Sequence, residues 1–207
     1  MSHTSEIDPA SAIPAECLGF LFAAVKQFCP TLEVVEQNTY RTWKSDHGSL
    51  VGDYPVPVGW TEAQIGEGAR FVIRCTDEHL KTKQISNRHA NGAPYEIGVV
   101  PVSLVYDETG KVKGTKYDPA GTHYTLMLDW YNQGYGLLQQ PGLGDRKDYK
   151  RPDGTVVKTC LAELLINYRT LQQLAVQQKI GDKLANIVNC PDGSRVLYFD
   201  TKQRVGT

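Results

Sequence analysis

The run LAELLINYRTLQQLAVQQKIGDKLANIVNCPDGSRVLYF, Leu161 to Phe199, joins one amphipathic helix to one hairpin and decides the fold class. Leu161, Leu164, Leu165, Tyr168, Leu171 and Ala175 recur at helical spacing and make one apolar stripe. Gly181-Asp182 breaks that period. Two apolar-rich runs follow, Leu184 to Cys190 and Arg195 to Phe199. Pro191-Asp192-Gly193-Ser194 joins them, and each of those residue types favours a tight turn. The pattern predicts a packed α+β ending, with no catalytic signature of its own.

Upstream, alternation predicts strands. Ala69, Phe71, Ile73 and Cys75 alternate with Arg70, Val72 and Arg74, as a half-buried strand does. Tyr124, Leu126, Leu128 and Trp130 fall on one face, opposite His123, Thr125, Met127 and Asp129. Tyr95 to Tyr106 is strand-like, with Pro101 pointing to a sheet edge or a bulge. Asp107-Glu108-Thr109-Gly110 turns it into Lys111 to Lys116, and shorter strands are expected at Leu32 to Val35 and Thr39 to Trp43. Near the start, Pro14 suits a first helical turn, Ala15 to Phe28 carries an apolar face, and Pro30 stops it. The reading is α+β: an antiparallel sheet with an N-terminal and a C-terminal helix packed on one face. We expect one domain over residues 1–207, with Gly/Pro-rich or polar insertions near 44–68, 76–94 and 132–158.

Composition narrows the function classes. A chain of 207 residues buries roughly 70% of its unfolded surface and needs no covalent staples. The formal charge of -1 gives no global field for nucleic acid or an acidic membrane. Five scattered cysteines, an odd number with no C-x-x-C pair, argue against a zinc ribbon or a disulfide framework. Met1 to Pro14 lacks an apolar core, and no run reaches the roughly 18 apolar residues of a membrane span. A cytoplasmic protein with reduced thiols and no membrane partner is expected.

Chemistry-bearing patterns are sparse. His3, His79, His89 and His123 form no H-x-x-x-H pair, and His123 and Asp129 lie roughly 20 Å apart along one strand, so no metal is expected. No G-x-S-x-G elbow is present. Gly134-Tyr135-Gly136 to Gly142-Leu143-Gly144 imitates a phosphate cradle, but lacks the third Rossmann glycine and the P-loop ending. No cofactor is expected. Arg70, Arg74, Lys81, Lys83 and Arg88 form one basic cluster, a candidate for anion or nucleic-acid contact. Arg146, Lys147, Lys150 and Arg151 form another, broken by aspartates and readable as a solvated loop.

Aromatics borne on loops are the stronger signal. Trp60, Tyr131 and Tyr135 lie in or beside the Gly/Pro-rich segments and are candidate partner contacts. For Trp60, local loop packing is the alternative.

The opening Met1-Ser2-His3, the run Ala69 to Arg74, Tyr95-Glu96-Ile97-Gly98, Tyr124 to Trp130 and the C-terminal helix with Pro191 to Ser194 occur in a familiar order. In these pieces the chain resembles the hypothetical chloroplast reading frame thirty-five family, an uncharacterised group of plastids, cyanobacteria, other bacteria and phages. The resemblance implies a compact α+β domain and carries no established activity. The leading expectation is a non-enzymatic protein-interaction or assembly module, binding a protein partner or itself. The alternatives are a small-molecule or nucleotide-handling enzyme using His123 or Asp129, and a nucleic-acid-associated protein.

Overall fold

The structure, a computed structural model, describes residues 4–6, 8–28, 32–42, 44, 56–57, 59–76, 95–129, 149–157 and 160–200. In chain order the elements are β1 (Thr4–Glu6), β2 (Ile13–Pro14), α1 (Leu18–Phe28), β3 (Leu32–Glu36), β4 (Phe71–Cys75), β5 (Ile97–Tyr106) and β6 (Val112–Tyr117). Then come β7 (His123–Asp129), β8 (Tyr149–Lys150), β9 (Val156–Val157), α2 (Cys160–Lys179), β10 (Lys183–Asn189) and β11 (Arg195–Asp200). The class is the expected α+β, with an antiparallel sheet, an N-terminal helix and a C-terminal helix. The chain divides into two compact units. One comprises Met1–Leu18 and Cys29–Asp145, the other Gly19–Phe28 and Arg146–Thr207. Among the described residues no helix is long and apolar enough to cross a membrane.

The first unit is an antiparallel sheet of order β1-β7-β5-β4-β3, with β2 also on β7 and β6 also on β5. Its ten-residue β5 is central, not an edge. Pro101 is tolerated there because β5 changes neighbour along one side. Residues 97–99 pair with β4 and residues 102–106 with β6, so the missing N–H of Pro101 falls in the gap. Its carbonyl still accepts from the Asp118 N–H at 3.1 Å.

Both faces of the sheet centre are buried. Val72 and Ile73, neighbours pointing to opposite faces, are each fully enclosed. Tyr40, Trp60, Ile65, Ala69, Val72, Val100, Val102 and Met127 form one core cluster. Part of the Gly/Pro-rich segment therefore packs into the core. Met127 and Thr125, expected on a polar strand face, are buried for the same reason. The strand expected at Thr39 to Trp43 is absent over its described residues. The backbone there is held by irregular partners instead. Tyr40 N–H donates to Gly66 O at 2.9 Å, and Glu96 N–H donates to Arg41 O at 2.9 Å.

In the second unit α1 buries Leu21, Ala24, Val25 and Phe28, and the Phe28 ring centre lies 5.3 Å from that of Tyr149. The 20-residue α2 buries Cys160, Leu161, Glu163, Leu164 and Tyr168. Beyond Tyr168 burial fades, and Leu171 and Ala175 are only partly covered. Two hairpins flank it, β8–β9 and β10–β11, each built on a Pro-Asp-Gly turn. In both, the glycine takes a positive φ, 89° at Gly154 and 85° at Gly193. A side chain is strained in that region, so the turn chemistry read from the sequence has a backbone reason.

Candidate functional site

Pairing in the second hairpin sorts its side chains onto two faces. Leu184↔Phe199, Ile187↔Leu197 and Asn189↔Arg195 share one face; Asn186↔Tyr198 and Val188↔Val196 share the other. Arg195 reaches Asn167 and Glu163 of α2, so the first face is the one turned to the helix. The second face looks away from it. Val188, Val196 and Tyr198 there are exposed, Tyr198 at 53%. Val176 of α2 and Ile180, which follows that helix, are separately about half exposed. Most of the exposed large apolar side chains among the described residues lie in this unit; Tyr106, at 54%, is the one in the first.

Beneath the hairpin lies a charged node. Glu163 is 3% exposed. Its Oε2 accepts from Arg151 Nε at 3.0 Å and Nη2 at 2.7 Å, and its Oε1 accepts from Arg195 Nη2 at 3.1 Å. Arg151 Nη2 also donates to Gly193 O at 2.9 Å, and Asn189 Nδ2 to Asp153 Oδ2 at 2.5 Å. These bonds tie the two Pro-Asp-Gly turns together. The Asn189 bond comes first, and the Thr155 bonds next, in holding the Asp153 carboxyl below the ordinary aspartate value. Two guanidinium groups share the one buried carboxylate, and the Asp153 carboxylate adds a second negative charge close to Arg151. Arg151 Nη1 is buried and has no acceptor among the described residues.

A groove of about 640 Å³ runs between α2 and β11. Its floor is Ile166, Leu197 and Phe199; Arg169 and Arg195 supply charge, and Thr170, Gln173, Gln177 and Ser194 supply neutral polar groups. Among the described residues no carboxylate lines it.

The residues singled out in the sequence are placed differently. Trp60 is 7% exposed and lies in the core cluster, its ring centre 6.1 Å from that of Tyr117. Local packing accounts for it, and little of the indole is open to a partner. Arg70 pairs with Glu36 at 2.9 Å and Arg74 with Glu33 at 2.8 Å, both across the β3–β4 pairing. Each cation thus has its counter-charge at hand. Tyr131, Tyr135, Lys81, Lys83 and Arg88 lie outside the described residues, as does the Asp129 side chain. His123 Nδ1 lies 3.3 Å from Thr122 Oγ1. Among the described residues no three His, Cys, Asp or Glu side chains gather as metal ligands.

Arg151, read as part of a solvated loop, is instead 3% exposed. The buried node escaped sequence reasoning, although one cue was present. Glu163, Asn167 and Thr170 recur at i, i+4 and i+7, a polar arc beside the apolar stripe, waiting for a long cation. No protein family, no curated protein and no solved structure matches the chain.

Proposed function

We propose that this protein is a non-enzymatic protein-interaction or assembly module of the cytoplasm or a plastid-like compartment, related to the family it resembles. The observation that carries the reading is the outward face of β10–β11, where Val188, Val196 and Tyr198 stand in water. A two-stranded hairpin is marginal alone, and apolar surface gains about 25 cal/mol per Å² on burial. Contiguous exposed apolar side chains of this kind favour a protein interface, and a tyrosine within them suits an anchor. The loop aromatics Tyr131 and Tyr135 stay as candidate contacts, whereas Trp60 serves packing.

Neither the enzyme nor the nucleic-acid reading has a comparable observation behind it. The cations at Arg70 and Arg74 are paired, and His123 has no acidic or metal-binding cluster around it among the described residues.

The test is native mass spectrometry of the chain purified gently from its source cell, as wild type and as Val196→Lys with Tyr198→Glu. The wild type should carry a defined protein partner or a second copy, and the variant should lose it while staying folded. A bare monomer, or a complex indifferent to the substitutions, would sink the reading. A stoichiometric nucleotide or oligonucleotide would replace it with one of the other two.

A further inference from the structure

We infer that β11 is a self-pairing edge: a second copy of this chain adds its own β11 antiparallel to it, about a two-fold axis at Leu197, making one four-stranded sheet. This rests on the protein-interaction reading and names the partner as the chain itself.

The direction of the backbone groups comes first. Cys190 N–H donates to Ser194 O at 3.0 Å, which makes those residues a hydrogen-bonded pair of the hairpin. Such pairs alternate with non-bonded ones along an antiparallel ladder, so Val188↔Val196 and Asn186↔Tyr198 are bonded too. Arg195, Leu197 and Phe199 therefore turn their N–H and C=O groups away from β10, toward the outer edge. Among the described residues β11 pairs with β10 alone. The groove of about 640 Å³ lies along that edge, lined by Ser194 to Leu197 and Phe199 and by no residue of β10. Open space thus borders the strand. Edges normally carry a lysine, a proline or a bulge, because a bare row of N–H and C=O groups recruits another strand. Val196, Leu197, Tyr198 and Phe199 offer none of these, and the one slip in pairing lies in β10, between Leu184 and Asn186.

Self-complementarity names the occupant. Strands related by a two-fold axis normal to the sheet pair residue i with j and j with i, and opposed residues share a face. Centring the axis on Leu197 meets both demands. Leu197 then exchanges backbone bonds with Leu197 of the second copy, and Arg195 with Phe199. On the face turned away from α2, Val196 meets Tyr198 on both sides of the axis, a β-branched and aromatic pairing that stabilises sheets. These side chains, 40% and 53% exposed, cover each other. On the face turned to α2, the two Leu197 side chains meet beside Ile166 and Phe199 of the groove floor. The Arg195 head group stays with Glu163 at 3.1 Å and Asn167 at 2.7 Å, so only its aliphatic stem meets the Phe199 ring. No two charged residues of β11 oppose each other. Moving the axis to Tyr198 would instead set the Asp200 carboxylate against Val196.

The experiment is sedimentation velocity of the full-length chain over a range of concentrations, with Leu197→Pro beside it. Wild type should pass from monomer to dimer as concentration rises. Proline at this position removes a donor aimed at the edge and none aimed at β10. Leu197→Pro should therefore keep the wild-type circular dichroism and remain a monomer. Should that variant fail to fold, cysteine pairing decides. Val196→Cys chains and Tyr198→Cys chains, oxidised with glutathione disulfide, should cross-link when mixed and not when alone, with the unsubstituted chain as control for native thiols. Opposed Cα atoms of a non-hydrogen-bonded pair lie about 4.5 Å apart, whereas like positions in this register are too distant for a disulfide. A monomer at every concentration, a dimer indifferent to Leu197→Pro, a mixture without cross-links, or either chain cross-linking with itself overturns the inference. Val196→Lys with Tyr198→Glu still disrupts this dimer, because exposed ion pairs return little of the apolar contact they replace. If the chain is monomeric while that variant strips a different protein from the native complex, the self-pairing inference alone falls. If neither a dimer nor a partner is found, the interaction reading falls with it.

Discussion

Arg151 and Glu163 meet at 2.7 Å with both side chains almost wholly out of water. The pair joins β9's hairpin to the first turn of α2, and Arg195 brings in the first residue of β11. A charge pair at this depth is weak support for stability against an apolar alternative, but removing one member leaves the other buried and uncompensated.

Substituting Glu163→Gln leaves two guanidinium groups facing one neutral amide. We expect a loss of about 3 kcal/mol, seen as a lower midpoint in urea unfolding. Arg195→Lys should cost less, because its head group is more exposed and Asn167 and Thr170 still offer acceptors. A Glu163→Gln midpoint equal to wild type would mean that the node does not hold the hairpin to the helix.

Trp60→Ala should cost about 3–5 kcal/mol, the range for emptying a large core side chain, and should leave partner binding intact once the protein is folded. Gly98→Ala makes the complementary test of the same core. A methyl group there would sit 2.6 Å from the Tyr40 ring, so overpacking of about 1–3 kcal/mol is expected. Loss of a partner with unchanged stability in Trp60→Ala would restore the indole as a contact.

Asp153 gives the expected pH dependence. Its folded-state pKa lies below the usual 3.8, through the Asn189 bond first and the Thr155 bonds next. A depressed pKa means that the folded state holds the proton less tightly than the unfolded one. The contribution is therefore present above the unfolded value and is lost as pH falls through the folded one. The unfolding midpoint of wild type minus that of Asp153→Asn should be constant near about pH 6 and shrink from about pH 4 downward. A difference that grows in acid would contradict the bond.

The legible parts of this fold are those in which local pattern and tertiary role agree. β4 and β7 announce themselves by alternation, β5 by its strand-like composition, and the turn at Pro191 to Ser194 by residues that need its backbone. Two kinds of information were not legible. Gly and Pro around Trp60 mark an irregular backbone, but say nothing of which sheet face lacks cover, so a core tryptophan reads as a surface one. Pro101 reads as an edge signal because the change of neighbour along β5 depends on strands far away in the chain. For the site, the apolar content of the hairpin was plain, yet its exposure was not. Period-two alternation gives faces and not what covers them. The node failed for a related reason: a lone glutamate near a helix start is ordinary until a distant arginine buries it.

Val196→Lys and Tyr198→Glu lie on the face of β11 turned away from α2. Each should change stability by no more than about 0.5 kcal/mol, as exposed substitutions do, while removing association. A large loss of stability in either variant would show that the face is already covered within the chain.

The most direct measurement is site-specific photo-crosslinking in the source cell, with the photoreactive residue placed at Tyr198 or at Tyr106. The two positions are equally exposed, 53% and 54%, but lie in different units, so the second is an internal control for random capture. We expect one adduct of defined mass at Tyr198 and none at Tyr106. Equal adducts at both positions, or none at Tyr198, would contradict the claim that the hairpin is the protein's interaction surface.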